Sequence, residues 1–236
     1  MEDLSQSAKI VDIDDQATWP EKVVTFIEEK SESVDLEENS SMSIGDDIML
    51  PLLNTSYLLV YHATRLLPHE KEDILSNGLQ ILTEELVTQK IQKAVHFEYL
   101  TEKMGEELLR GSTLRTRPEE DRANQICFVV GKSPFEREDS ELSDFFNIWG
   151  GEVINFTSAG DNHMSCLKQI GEPAIVKALL LTTDQPSFLI SPELTVSFIR
   201  AFRGENSSSI LHLANESIPS KNILTILRPE VMANRK

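Results

Sequence analysis

An apolar run, Tyr57-Leu58-Leu59-Val60-Tyr61, passes directly into His62-Ala63-Thr64, and no other stretch restricts the fold as tightly. A run this short, rich in aliphatic and aromatic residues, suits a strand buried on both faces. Together with Leu52 and Leu53 it predicts a buried strand beginning near Met49 and ending at His62. Further strands are expected at 126–130, 152–156, 175–182 and 222–227. Helices are expected at 19–30, from Pro68 to a stop at Asn77-Gly78, from a Thr83 N-cap to Gly111, at 138–149 and at 192–202. Several strands lack a crossover of regular length between them. The pattern therefore fits α+β better than a doubly wound parallel sheet.

Charge divides the 236-residue chain. The formal net charge is −17, and residues 1–50 hold 14 Asp/Glu against 3 Lys/Arg, leaving 25 against 19 for the rest. With its Ser/Glu-rich stretch at 31–43, segment 1–48 reads as an acidic, partly mobile N-terminal extension preceding a domain at 49–236. An acidic surface repels a phosphate backbone, so a nucleic-acid partner is disfavoured. No window approaches the roughly 18 apolar residues needed to span a bilayer, and no basic start precedes an apolar run, which predicts a cytoplasmic protein without a membrane partner. Cys127 and Cys166 have no paired spacing, arguing against a disulfide framework or structural zinc.

Three short segments could carry chemistry. Glu152 follows Trp149-Gly150-Gly151, where the glycines let backbone approach a ligand closely. A fixed carboxylate there would stabilise a developing sugar cation. His62 can hydrogen-bond a ribose hydroxyl, with Thr64 supporting that geometry. Phe128, in the 126–130 strand, has a flat ring that could stack on an aromatic ligand or fill the core. Arg65 is open between a phosphate ligand and a solvated side chain. His163-x-x-Cys166 has ligand-like spacing, but a tetrahedral site needs more donors, so no metal is expected. Neither phosphate-cradling glycine fingerprint nor a Gly-x-Ser-x-Gly turn occurs.

The order His62-x-Thr64, then an aromatic strand, then Gly150-Gly151-Glu152 resembles the His-Tyr-Glu arrangement of the ADP-ribosyltransferase superfamily, with Phe128 at the tyrosine position. Helix and Gly-Leu after the histidine, here Ile74-Leu75-Ser76-Asn77-Gly78-Leu79, are similar to that family as well. The resemblance covers residues 57–156 and the C-terminal strand. It implies a split β-sheet core with flanking helices, and NAD as ADP-ribose donor. His62, Thr64 and Phe128 would bind it, and Glu152 would be catalytic. The implied function is mono-ADP-ribosylation of a macromolecule, with a protein as the target. The alternatives are an NAD glycohydrolase and a noncatalytic interaction protein of the same fold.

Overall fold

The computed structural model describes residues 8–33, 46–116, 123–135, 143–151, 154, 158–182, 188–190, 194–206, 209–214 and 216–229. Its centre is strand β2 (Tyr57–Leu66), ten residues long and flanked along its whole length by antiparallel β4 (Glu172–Leu181). Side chains alternate across a strand. Leu58, Val60 and Leu66 therefore join one buried cluster, while Leu59, Tyr61 and Ala63 join another on the opposite face.

The sheet has seven strands in the order β5 (Phe188–Ile190), β6 (Ser209–Ala214), β3 (Gln125–Val130), β2, β4, β7 (Ile223–Leu227), and β1 (Ile10–Val11) pairs with the start of β2. Only the β1 pairing is parallel. Between β2 and β3 one register pair is formed, Tyr61 opposite Val129. The sheet thus opens just where His62 begins.

Helices α1 (Glu21–Ser33), α2 (Asp46–Leu53) and α9 (Leu194–Phe202) cover one face. Val23 with Ile27, and Met49 with Leu53, are i,i+4 pairs, so each helix buries one side, and all four side chains are fully buried. A second lobe is helical: α4 (Glu84–His96), α5 (Glu102–Gly111) and α8 (Ser158–Leu167) pack around Trp149. Helices α3 (Pro68–Asn77), α6 (Thr113–Thr116) and α7 (Ser143–Asn147) lie between these elements in the chain.

The α+β class is observed, as are the strands near 126–130, 175–182 and 222–227, the Thr83 cap and the Gly78 stop. Four expectations are corrected. Leu52 and Leu53 lie in α2, not a strand, because burial at helical spacing outweighs their apolar continuity with Tyr57. The 83–109 pattern divides into α4 and α5, since Glu98 takes φ 61° and Thr101 caps a fresh helix through Met104 N–H. Residue 154 is helical rather than part of a 152–156 strand; the other residues of that segment lie outside the described ones.

The fourth concerns the N-terminus. Residues 10–30 are not an appendage, because Val11, Ile13, Trp19, Val23 and Ile27 are at most 3% exposed and belong to the main core. Trp19 packs edge-on against Phe198 of α9 at 4.8 Å, and its indole N–H donates to Asp12 O. The boundary at 48 therefore cuts through a single packed cluster, and most of the 31–43 stretch lies outside the described residues.

Candidate active site

The opening between β2 and β3 is continuous with a cavity of 340 Å³. Its walls come from β2 at His62 and Thr64, from α3 and α4, from the first half of β3, and from Gly150 and Gly151. A volume of this size falls in the range of roughly 300–1,000 Å³ typical of small-molecule sites.

His62 sits mid-strand rather than at a strand end. Its Nδ1–H donates to Cys127 O at 2.9 Å. A carbonyl can only accept, which assigns the tautomer. Burial lowers the pKa of the imidazole, the Cys127 hydrogen bond opposes that, and the Lys90 charge lowers it further. The net result is a neutral ring whose Nε2 is an acceptor. Thr64 lies two residues on, so it shares the same face of the strand and the same cavity.

Phe128 is a correction. It is 0% exposed in the main core and is not part of the cavity wall. Its ring meets His62 edge-on, with centroids 6.1 Å apart, so it braces the imidazole from behind instead of stacking on a ligand. The strand's alternation explains this: Ile126, Phe128 and Val130 all point into one core. Among the described residues Phe145 is the phenyl ring that lines the cavity.

The Trp149-Gly150-Gly151 segment is fixed from two sides. Trp149, fully buried, donates through Nε1 to Glu70 Oε2 at 2.8 Å, and its backbone N–H donates to Leu167 O at 3.1 Å. Gly150 and Gly151 then turn the chain at φ 94° and 63°, a region that disfavours side chains. A Cβ on Gly150 would also lie 2.3 Å from Ile154 Cδ1, so a side chain there would have to displace the buried Ile154 as well. Glu152 lies outside the described residues. Gly150, Gly151 and Ile154 on either side of it all line the cavity.

Sequence reading missed Glu70. As the third residue of α3 it looks like a solvated first-turn acid, yet it is only 5% exposed. Its Oε2 also accepts the Leu67 N–H at 2.7 Å, and Lys90 Nζ is 3.1 Å from Oε1. Burial alone would raise this carboxyl. The Lys90 charge and the hydrogen bonds from Leu67, Trp149 and Lys90 outweigh it and hold the group below its ordinary value. The available signal was an acid three residues after the N-cap, half of a capping box.

Arg65 does not reach the cavity chemistry, since its guanidinium donates to Ile170 O at 2.6 Å and Phe146 O at 3.0 Å. His163 meets Glu107 at 2.7 Å, and among the described residues no group of three or more His, Cys, Asp or Glu side chains converges. None of the described helices is long and apolar enough to cross a membrane. Comparisons with family models, curated proteins and solved structures found no match to this chain.

Proposed function

We propose that this chain is an NAD-dependent mono-ADP-ribosyltransferase whose target is a macromolecule, a protein in the first instance, and whose core is the split sheet of that superfamily. One observation carries the reading. The neutral imidazole of His62 and the Gly150-Gly151 turn leading into Glu152 border a single hollow, at the point where β2 and β3 separate.

The residues suit the reaction. His62 Nε2 accepts a hydrogen bond from a ribose hydroxyl, and Thr64 adds a second polar contact on the same strand. As the bond between nicotinamide and the anomeric carbon breaks, its electron pair leaves with nicotinamide. Glu152 stabilises the positive charge that remains on the sugar. An acceptor side chain then bonds to the anomeric carbon and releases its proton to a base. Phe145, not Phe128, supplies a flat apolar wall. With water as acceptor, the same steps give a glycohydrolase.

Labelled NAD distinguishes these outcomes. The transferase reading expects nicotinamide release together with label on a protein target, and loss of both in Glu152→Ala with an unchanged melting temperature. Undiminished turnover in that variant removes Glu152 from the chemistry. The burial of Phe128 away from the cavity favours one rival, a noncatalytic module that keeps the hollow but not the reaction. A ligand that prefers the native state must raise its stability, so millimolar NAD with no thermal shift would favour that rival.

A further inference from the structure

The pyrophosphate of the proposed substrate carries two negative charges that a cation would complement, and Arg65 is already committed to two backbone carbonyls. Among the described residues the cavity wall holds two lysines, Lys90 and Lys93, and no arginine. They lie on α4 three residues apart, so they share a helix face.

The two are not equivalent. Lys93 pairs with Asp73, and both side chains are 47% exposed, a solvated pair at the rim. Lys90 is deeper: its side chain is 30% exposed, with Nζ 3.1 Å from Glu70 Oε1 and 5.9 Å from the centroid of the Trp149 ring. An ammonium has three donors. Its charge rests at ion-pair distance from the Glu70 carboxylate and over the face of Trp149, and these two contacts do not use up all three donors of a side chain that lines the cavity.

Glu70 is a shared counterion. Its Oε2 already accepts from Leu67 N–H and Trp149 Nε1–H at the positive N-terminal end of α3, so its charge is divided among three donors. An incoming dianion would compete well for Lys90. The flexible lysine stem lets the ammonium shift without moving α4. The Lys90 charge also reaches His62, so both groups act in one electrostatic environment.

We propose that Lys90 is the phosphate-binding residue of this cavity, holding a phosphate or pyrophosphate group of the ligand; as applied to NAD, this rests on the transferase reading. Titration calorimetry on the full chain tests it with four probes: inorganic pyrophosphate, ADP, NAD, and nicotinamide riboside, which lacks phosphate. Losing one charge-assisted contact should weaken the first three by about tenfold or more in Lys90→Gln and leave nicotinamide riboside unchanged. Lys90→Arg should retain binding. Glu70→Gln, which frees Lys90 from its competitor, should tighten pyrophosphate severalfold, an effect that a purely structural ion pair would not produce. If Lys90→Gln fails to fold, unchanged pyrophosphate affinity in Glu70→Gln overturns the proposal.

The outcomes separate. Wild-type affinity for NAD in Lys90→Gln reduces Lys90 to a counterion of Glu70 and leaves the transferase reading intact. Lys90-dependent binding of pyrophosphate and ADP without any binding of NAD sinks the transferase reading and keeps the phosphate site. A wild-type chain that binds none of the four overturns both.

Discussion

Replacing Glu70 by alanine is the sharpest perturbation of the site wall. It removes the acceptor of the Leu67 N–H and of the Trp149 indole N–H, and it leaves Lys90 without its acid. Each buried donor left unsatisfied costs about 1–3 kcal/mol. Lys90 can recover part of its loss by hydration, because its side chain is partly exposed. The expected destabilisation is therefore about 3–5 kcal/mol, a large share of the total stability of a small protein. Glu70→Gln keeps an oxygen for the two N–H donors and loses only the charge, so it should cost nearer 1 kcal/mol. Urea denaturation at neutral pH, followed by far-ultraviolet circular dichroism, measures both. The pH dependence supplies a second check. The Glu70 carboxyl lies below its ordinary 4.5 in the fold, so its stabilisation is complete above 4.5 and is lost as pH falls through the folded value. The gap between wild type and Glu70→Gln should be flat near neutrality and shrink in acid. If Glu70→Ala stays within about 1 kcal/mol of wild type, the buried carboxylate is not the anchor described above.

Gly78 has φ 84°, and an added Cβ would fall 1.9 Å from Ile218 O, so Gly78→Ala should cost more than about 2 kcal/mol and weaken the bridge between Leu79 and Ile218, as read by amide exchange. Trp19→Ala should cost about 3–5 kcal/mol by urea denaturation, and deletion of residues 1–33 should abolish cooperative melting. A truncated chain that melts normally would contradict the placement of β1 and α1 in the core. The His62 ring should remain neutral below its ordinary 6.5, with the proton on Nδ1, in long-range proton–nitrogen correlation spectra. Because this pKa is lowered on folding, His62 adds to the loss of stability as pH falls from 6.5, with the same sign as Glu70.

The legible parts of the fold were those where one local rule acts alone. Thr83 caps α4 through the Leu86 N–H, and Gly78 ends α3 at positive φ, each set by neighbours a few residues away. The N-terminal core was masked by composition. Acids outnumber bases there so heavily that the i,i+4 pair Val23 and Ile27, and Trp19 beside them, read as an extension, although charged residues occupy only the outer faces of α1. His62 and Thr64 share one strand and one cavity wall, which their two-residue spacing makes legible. That β2 continues to Leu66 depends on β4 pairing along its full length, which is not a local property. Phe128 failed as a ligand contact for a similar reason: period-two alternation fixes that it faces the same way as Ile126 and Val130, but only the packed sheet reveals that this side is core. Glu70 and Lys90 are 20 positions apart and meet only where their side chains reach across from α3 and α4, so no spacing rule finds them.

On the proposed reading, the hollow bordered by β2 and β3 holds a dinucleotide. A crystal structure of the chain with NAD tests it most directly. The reading expects the nicotinamide ribose inside the cavity, with a hydroxyl within hydrogen-bonding distance of His62 Nε2 and the Glu152 carboxylate facing the same sugar. NAD bound elsewhere on the surface, or Glu152 turned away from an occupied cavity, would contradict it.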